Sequence, residues 1–410
     1  MITGIGAVTP VGLDRESTWR ALLDGRSGVS PIDAFDASDL PVRIAAQVRG
    51  FDPATVLSGK RLRRSARFTQ FAVAAAREAV ADAALDLDGT AVDRDRVGVI
   101  VNCAVAGFDT VEQATRSLLA DPPGRIGPYF VPSSLTNMPA CEVSIDLGVH
   151  GPVSASALAC ASGVYALVEA RRLVLSGEVD AVICGGTDAA ITPVMFAGLI
   201  TMGALSRRNE DPERASRPFS ADRDGFVFGE GAVVFVVESA EHAARRGARA
   251  YARLAGGALT ADAFHVTAPD PQAVHAAGAI RHALAHAGVL PEQVDYVCAH
   301  GTSTPANDRT ETMAIRAAYG AAADRLAVSS PKSMVGHLIG AAGALGVMVC
   351  ALAIRDGAVP PTINLQTPDP ECDLDFVPNR ARRMPVRVAA TNAFGFGGQN
   401  CVAVLTAPHR

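Results

Sequence analysis

No two cysteines in this sequence are spaced as CxxC. The eight that occur, at positions 103, 141, 160, 184, 298, 350, 372 and 401, are scattered, and most sit inside apolar runs. This excludes a compact disulfide framework or zinc ribbon and suits reduced, buried thiols in a cytoplasmic protein. Charge is also sparse, at 19% of residues against 49% hydrophobic, which excludes a disordered chain. With a formal net charge of −5 there is no general excess of basic groups, so neither nucleic acid nor an anionic membrane is the expected partner, and any basic patch must be local. The opening MITGIGAVTPVG lacks a basic n-region and a following cleavage site, so it does not read as a signal peptide. The longest uncharged run, 338–354, is rich in Gly and Ala and falls short of the roughly 20 residues of a membrane span, so a buried helix is predicted. Also absent are a long Pro/Ser/Gly linker and a short-period repeat. At 410 residues the chain is longer than one core usually serves, and two fused halves sharing a large interior are expected.

What is present alternates. Apolar runs at 96–105, 179–184, 232–238, 294–299, 326–329 and 386–391 read as strands, and segments 67–84, 162–175, 272–287, 307–319 and 337–355 carry helical spacing. The alternation predicts an α/β fold with buried sheets. The seam is placed after Arg245-Arg246-Gly247, giving halves 1–247 and 248–410.

Three strand-to-loop junctions carry reactive side chains. In Gly151-Pro-Val-Ser-Ala-Ser-Ala-Leu-Ala-Cys160-Ala-Ser-Gly163, small and apolar residues suited to a buried strand end at a cysteine where a helix opens. A helix N-terminus favours thiolate there, and its free N–H groups can receive a thioester oxygen. His300 stands in Ala299-His300-Gly-Thr302-Ser-Thr304-Pro305, and His337 in Lys332-Ser-Met-Val-Gly336-His337-Leu-Ile-Gly340. A helix N-terminus disfavours imidazolium, so a neutral imidazole is expected at His337. Glycines cluster at Gly185-Gly186-Thr-Asp188, at Asp224-Gly225-Phe-Val-Phe-Gly229-Glu-Gly231 and at Phe394-Gly395-Phe396-Gly397-Gly398, where positive φ or close backbone approach is expected. Gly4-x-Gly6 lacks the third glycine of a dinucleotide fingerprint and reads as a tight turn. His282 and His286 share one helix face without a third ligand, so they read as a solvated face rather than a zinc site.

In these motifs, in order and over nearly the whole length, the sequence resembles the β-ketoacyl-acyl carrier protein synthases of the elongating type. The resemblance implies the thiolase fold: two pseudo-duplicated α/β halves in five αβαβα layers, assembled as a homodimer or as a heterodimer with a chain-length-factor-like subunit. It implies a Cys-His-His triad of Cys160, His300 and His337, organised by Lys332 and Glu311, with an oxyanion hole at the N–H groups of Cys160 and Phe396. Thr302, Thr304, His265 and Thr267 match pantetheine-tunnel positions, and Val105, Leu199 and the gating Phe396 match the acyl pocket. The implied reaction joins an acyl group on Cys160 to a decarboxylated malonyl unit carried by acyl carrier protein, without metal or organic cofactor. Two departures bear on chain preference: Gln399 stands where the family often has Thr, and Leu199 where some members carry an aromatic. The carrier being acidic, a basic segment with Lys60, Arg61, Arg63, Arg64 and Arg67, joined by Arg207 and Arg208, is the expected docking patch. Competing readings are a non-catalytic partner subunit, which the presence of Cys160 opposes, and a coenzyme A thiolase, which uses a second cysteine where this chain has histidines.

Overall fold

A computed structural model describes residues 1–89, 91–122 and 124–408. Five segments form the first sheet: β1 (Ile2–Val8), β2 (Val97–Asn102), β3 (Val153–Ser154), β4 (Ala181–Asp188) and β5 (Gly231–Glu238), side by side in the order β1-β5-β4-β2-β3. Every residue of β1, β2, β4 and β5 is buried, which is why they read as unbroken apolar runs rather than alternating ones. The second sheet holds β6 (Arg253–Ala261), β7 (Tyr296–Cys298), β8 (Ala327–Ser329), β9 (Val388–Gly395) and β10 (Gln399–Thr406), in the order β6-β10-β9-β7-β8. Each strand of the first sheet thus has a counterpart five places later, in the same position. The pairing senses match as well: β1–β5 and β5–β4 are antiparallel, as are β6–β10 and β10–β9. β4–β2 and β2–β3 are parallel, as are β9–β7 and β7–β8. One topology occurs twice.

The longer helices are α1 (Arg67–Asp82), α2 (Phe108–Leu119), α3 (Met138–Leu147), α4 (Ser162–Leu175), α5 (Pro193–Met202), α6 (Val274–Ala287), α7 (Pro305–Tyr319) and α8 (Ala342–Asp356). α4 and α8 lie between the sheets, sharing one core with Ile100, Val182 and Phe235 of the first and Tyr296, Ala389 and Cys401 of the second. α1 and α3 cover the other face of the first sheet, packing Phe68, Phe71 and Val143 on Val99, Ile183 and Val234. α6 and α7 do the same for the second through Ile280 and Ile315. The result is five αβαβα layers. Ile339–Asp356 is long and apolar enough to cross a membrane by composition, but here it supplies the central layer, with Ala342 to Ala353 all buried.

Three local expectations are corrected. Gly4 and Gly6 lie inside β1, not in a turn: a Cβ on either would sit 2.0 Å from the carbonyl oxygen of Ala79 or Ala75, so their bareness lets α1 lie on the strand. The segment before Cys160 is not a buried strand. Only Val153–Ser154 pair, at a half-exposed edge, and a single 3-10 turn, Ala159–Ala161, leads into α4. The helix expected from His337 begins at Ala342, after another such turn at Ile339–Ala341.

Candidate active site

Cys160 is set by a backbone elbow. Ala159 has φ +46°, a region costly for a residue with a Cβ, and the chain then turns into α4. From the second half, Gly336 (φ +64°) and Ile339 (φ +51°) shape the loop bearing His337. The Ile339 N–H donates to His337 Nδ1 at 3.1 Å, so in the neutral ring the proton resides on Nε2, which stands 3.0 Å from Cys160 Sγ. His300 follows β7. Glu311 on α7 accepts the backbone N–H of His300 and of Gly301, both at 2.7 Å, and a third bond from Asn392 Nδ2 at 3.0 Å. Lys332 Nζ donates to the His300 carbonyl at 2.5 Å. The two imidazole rings meet edge to face, 5.5 Å apart at 83°.

Burial governs the charges. It pushes the Cys160 thiol up to about 11, against the Lys332 ammonium and the Phe396 N–H, which favour thiolate. The thiol therefore rests protonated, and the helix N-terminus does not deliver the resting thiolate expected from it. Burial, then the Lys332 charge, holds both imidazoles well below the usual histidine range, so both are neutral, as expected for His337. Burial likewise lowers Lys332 and raises Glu311. Cys160 Sγ and ring nitrogens of both histidines lie within 4.8 Å of one another, a spacing a soft cation could bridge. Ligation through His337 Nε2 would force its proton onto Nδ1, against the Ile339 N–H, so the ring is arranged to donate rather than to ligate.

The triad lines a cavity of about 730 Å³. Thr302 and Thr304, their hydroxyls 2.9 Å apart, line it together with Thr267; so do Val105, Leu199 and Phe396, which is 40% exposed. Phe396 rides on a glycine loop in which a Cβ at Gly395 would meet the Leu158 carbonyl oxygen at 2.7 Å. His265 is not brought in: it lies exposed outside the lining, its Nδ1 accepting the N–H groups of Thr267 and Ala268 in its own turn. Sequence reasoning missed Met195 and Met202, which join Leu199 at helical spacing on the cavity side of α5, and Phe226 and Phe228. It also gave no role to Asp188, although a carboxylate ending the apolar run AVICGGTD was a signal.

Of the basic residues, Arg63 and Arg64 line a second cavity, of about 710 Å³, with Lys60 and Arg125. Arg64 also stands 3.8 Å from Glu142. Three others are held by side-chain partners. Arg67 is bound to Glu230 at 3.0 and 2.8 Å and to the Val48 carbonyl, Arg61 to Glu142 and Asp146, and Arg208 to Asp222 with Asp224 beside it. These three guanidinium groups are thus tied into the fold by ion pairs.

Comparison with known proteins agrees in both halves. Residues 1–243 match the family described as β-ketoacyl synthase, N-terminal domain, and residues 251–366 its C-terminal domain. The 3-oxoacyl-[acyl-carrier-protein] synthase 2 of Coxiella burnetii is 47% identical over 99% of this chain and 98% of its own, and that of Synechocystis sp. is 46% identical over 98% and 96%. Among solved structures, the ishigamide ketosynthase/chain length factor superposes with a TM-score of 0.93 at 37% identity, over 99% of this chain and 98% of the other. A type II polyketide ketosynthase in complex with its acyl-carrier protein gives 0.90 at 33%, with the same coverage. With the duplicated five-layer fold, the Cys-His-His cluster and both halves of the family in order, the chain belongs to the β-ketoacyl synthases.

Proposed function

We propose that this chain is a condensing acyltransferase that joins an acyl group held on Cys160 to malonyl-acyl carrier protein, giving a β-ketoacyl-acyl carrier protein in chain elongation. The observation that carries the reading is a thiol flanked by two neutral imidazoles in a largely apolar cavity. In the first half-reaction Cys160 Sγ attacks the acyl thioester, and the thiol proton leaves with the carrier thiolate. The N–H groups of Cys160 and Phe396 receive the oxyanion, and the His337 Nε2–H steadies the sulfur. In the second, the malonyl carboxylate leaves as carbon dioxide, and donors at His300 and His337 hold the enolate oxygen. The carbanion then attacks the acyl carbonyl, expelling the Cys160 thiolate, which takes up one proton from solvent. Lys332 and Glu311 hold the His300 loop by its backbone. No step calls for a metal or organic cofactor.

The partners follow from the surface. Lys60, Arg63, Arg64 and Arg125 frame a basic recess suited to an acidic carrier protein, with Thr302, Thr304 and Thr267 along the pantetheine path. Edge strand β3, with Val153 exposed, and the exposed Val111, Leu118 and Leu119 of α2 are suited to a second subunit. The seam between halves at 247/248 and a cytoplasmic location complete the reading. The first reading of the assembly is a homodimer. The second reading, the catalytic partner of a chain-length-factor-like subunit, draws on the 0.93 superposition on a chain of a ketosynthase/chain length factor. Incubation with acyl and malonyl carriers, read by mass, tests the reaction. Formation of a β-ketoacyl carrier supports it, and transfer without decarboxylation overturns it.

A further inference from the structure

Asp188 ends β4 fully inside the protein, 1% exposed. Among the described residues it has no cationic partner; backbone N–H groups surround it instead. Oδ2 accepts from Ala104 at 2.9 Å and Gly340 at 2.7 Å, Oδ1 accepts from Val105 at 3.1 Å, and the Ala106 N–H also points at the carboxylate. A Cβ on Gly340 would meet Oδ2 at 2.5 Å, so the approach depends on glycine.

These donors come from two parts of the site. Ala104 and Val105 line the cavity at the end of β2. Gly340 adjoins Ile339, whose N–H fixes His337 Nδ1 and with it the proton on Nε2. We propose that Asp188 is a positioning residue that clamps the acyl-pocket wall to the His337 loop, so that acyl fit at Val105 and proton donation at His337 are set by one carboxylate. The inference rests on the condensing reading and deepens it.

The charge balance supports this role. Burial raises the Asp188 carboxyl to about 6, so near neutrality it is an anion held by N–H dipoles. Among the described residues, the thiols of Cys103 and Cys160 face it, both raised in part by its charge. Losing the anion therefore makes Cys160 easier to ionise while it frees the His337 loop. Protonation below pH 6 puts an O–H among N–H donors and loosens the clamp.

Single-turnover rates of Asp188→Asn test the clamp. Acylation of Cys160 by a two-carbon carrier thioester is expected to hold or rise, while decarboxylation of malonyl carrier by the acylated enzyme falls on the order of 10²-fold, the cost of a misplaced catalytic group. Acylation by a ten-carbon chain is expected to fall relative to the two-carbon one. The wild type shows an acid limb near pH 6 in decarboxylation, and the variant loses it. Gly340→Ala, which presses on the same oxygen, gives the same split between half-reactions and decides the matter if Asp188→Asn does not fold. Equal losses in both half-reactions, no loss in decarboxylation, or an unchanged acid limb overturns the clamp. Failure of the wild type to load Cys160 would overturn the condensing reading instead.

Discussion

The sulfur of Cys160 and the Nε2–H of His337 form a donor–acceptor pair before any substrate arrives, and much of the chemistry can be read from which atom holds the proton. With the thiol pushed up to about 11, the thiolate fraction rises about tenfold per pH unit below that value. Alkylation of Cys160 by iodoacetamide is therefore expected to accelerate steadily from pH 7 to 10; a plateau already at pH 7 would mean that the thiolate is the resting form. Both imidazoles stay neutral through this range, being held below the usual histidine value. His300→Ala and His337→Ala are each expected to cost about 10²–10³ in condensation, the effect of losing one buried donor, and less in acyl transfer to Cys160. Single-turnover assays of the two half-reactions separate these, and equal losses would contradict the assigned roles. Cys160, His300 and His337 were legible in sequence because each stands in a long motif. The protonation of Cys160 was not, because a helix N-terminus is visible in sequence and the depth of burial is not. His265 misled for a similar reason: its motif places the turn correctly, but which way the ring faces is settled by its bonds to Thr267 and Ala268.

Among the elements, the central layer was the most legible. The uncharged run 338–354 reads as a buried helix, and α8 occupies it from Ala342 onward. Strands with long β-branched runs, such as β4 and β5, were found near their true positions. β6 was missed because its sequence, RLAGGALTA, is short of β-branched residues and draws its stability from pairing along β10. Gly4 and Gly6 were misread because a glycine under a crossing helix and a glycine in a turn look alike in sequence. Gly6→Ala is expected to destabilise the fold by about 1–3 kcal/mol, since its Cβ would meet backbone oxygen rather than a movable side chain. Chemical denaturation measures this, and an unchanged midpoint would mean that α1 does not lie against β1 as described.

For the whole molecule, the duplicated topology brings Cys160 from the first half against His300 and His337 from the second, so neither half holds a complete site. Docking is expected to be electrostatic and confined. Replacing Arg63 and Arg64 with Glu should raise the apparent KM for carrier-bound substrate while leaving a small thioester mimic nearly unchanged, with the difference shrinking as salt screens charges over about 10 Å at 0.1 M. An equal effect on both substrates would make the patch structural. The most direct measurement is intact-mass analysis of the protein after incubation with an acyl-carrier thioester and again after a chase with malonyl carrier. One acyl adduct on Cys160 is expected, absent in Cys160→Ala, and the chase should remove it with release of one carbon dioxide per β-ketoacyl carrier formed. An adduct on another residue, or one that malonyl carrier does not discharge, would contradict the account.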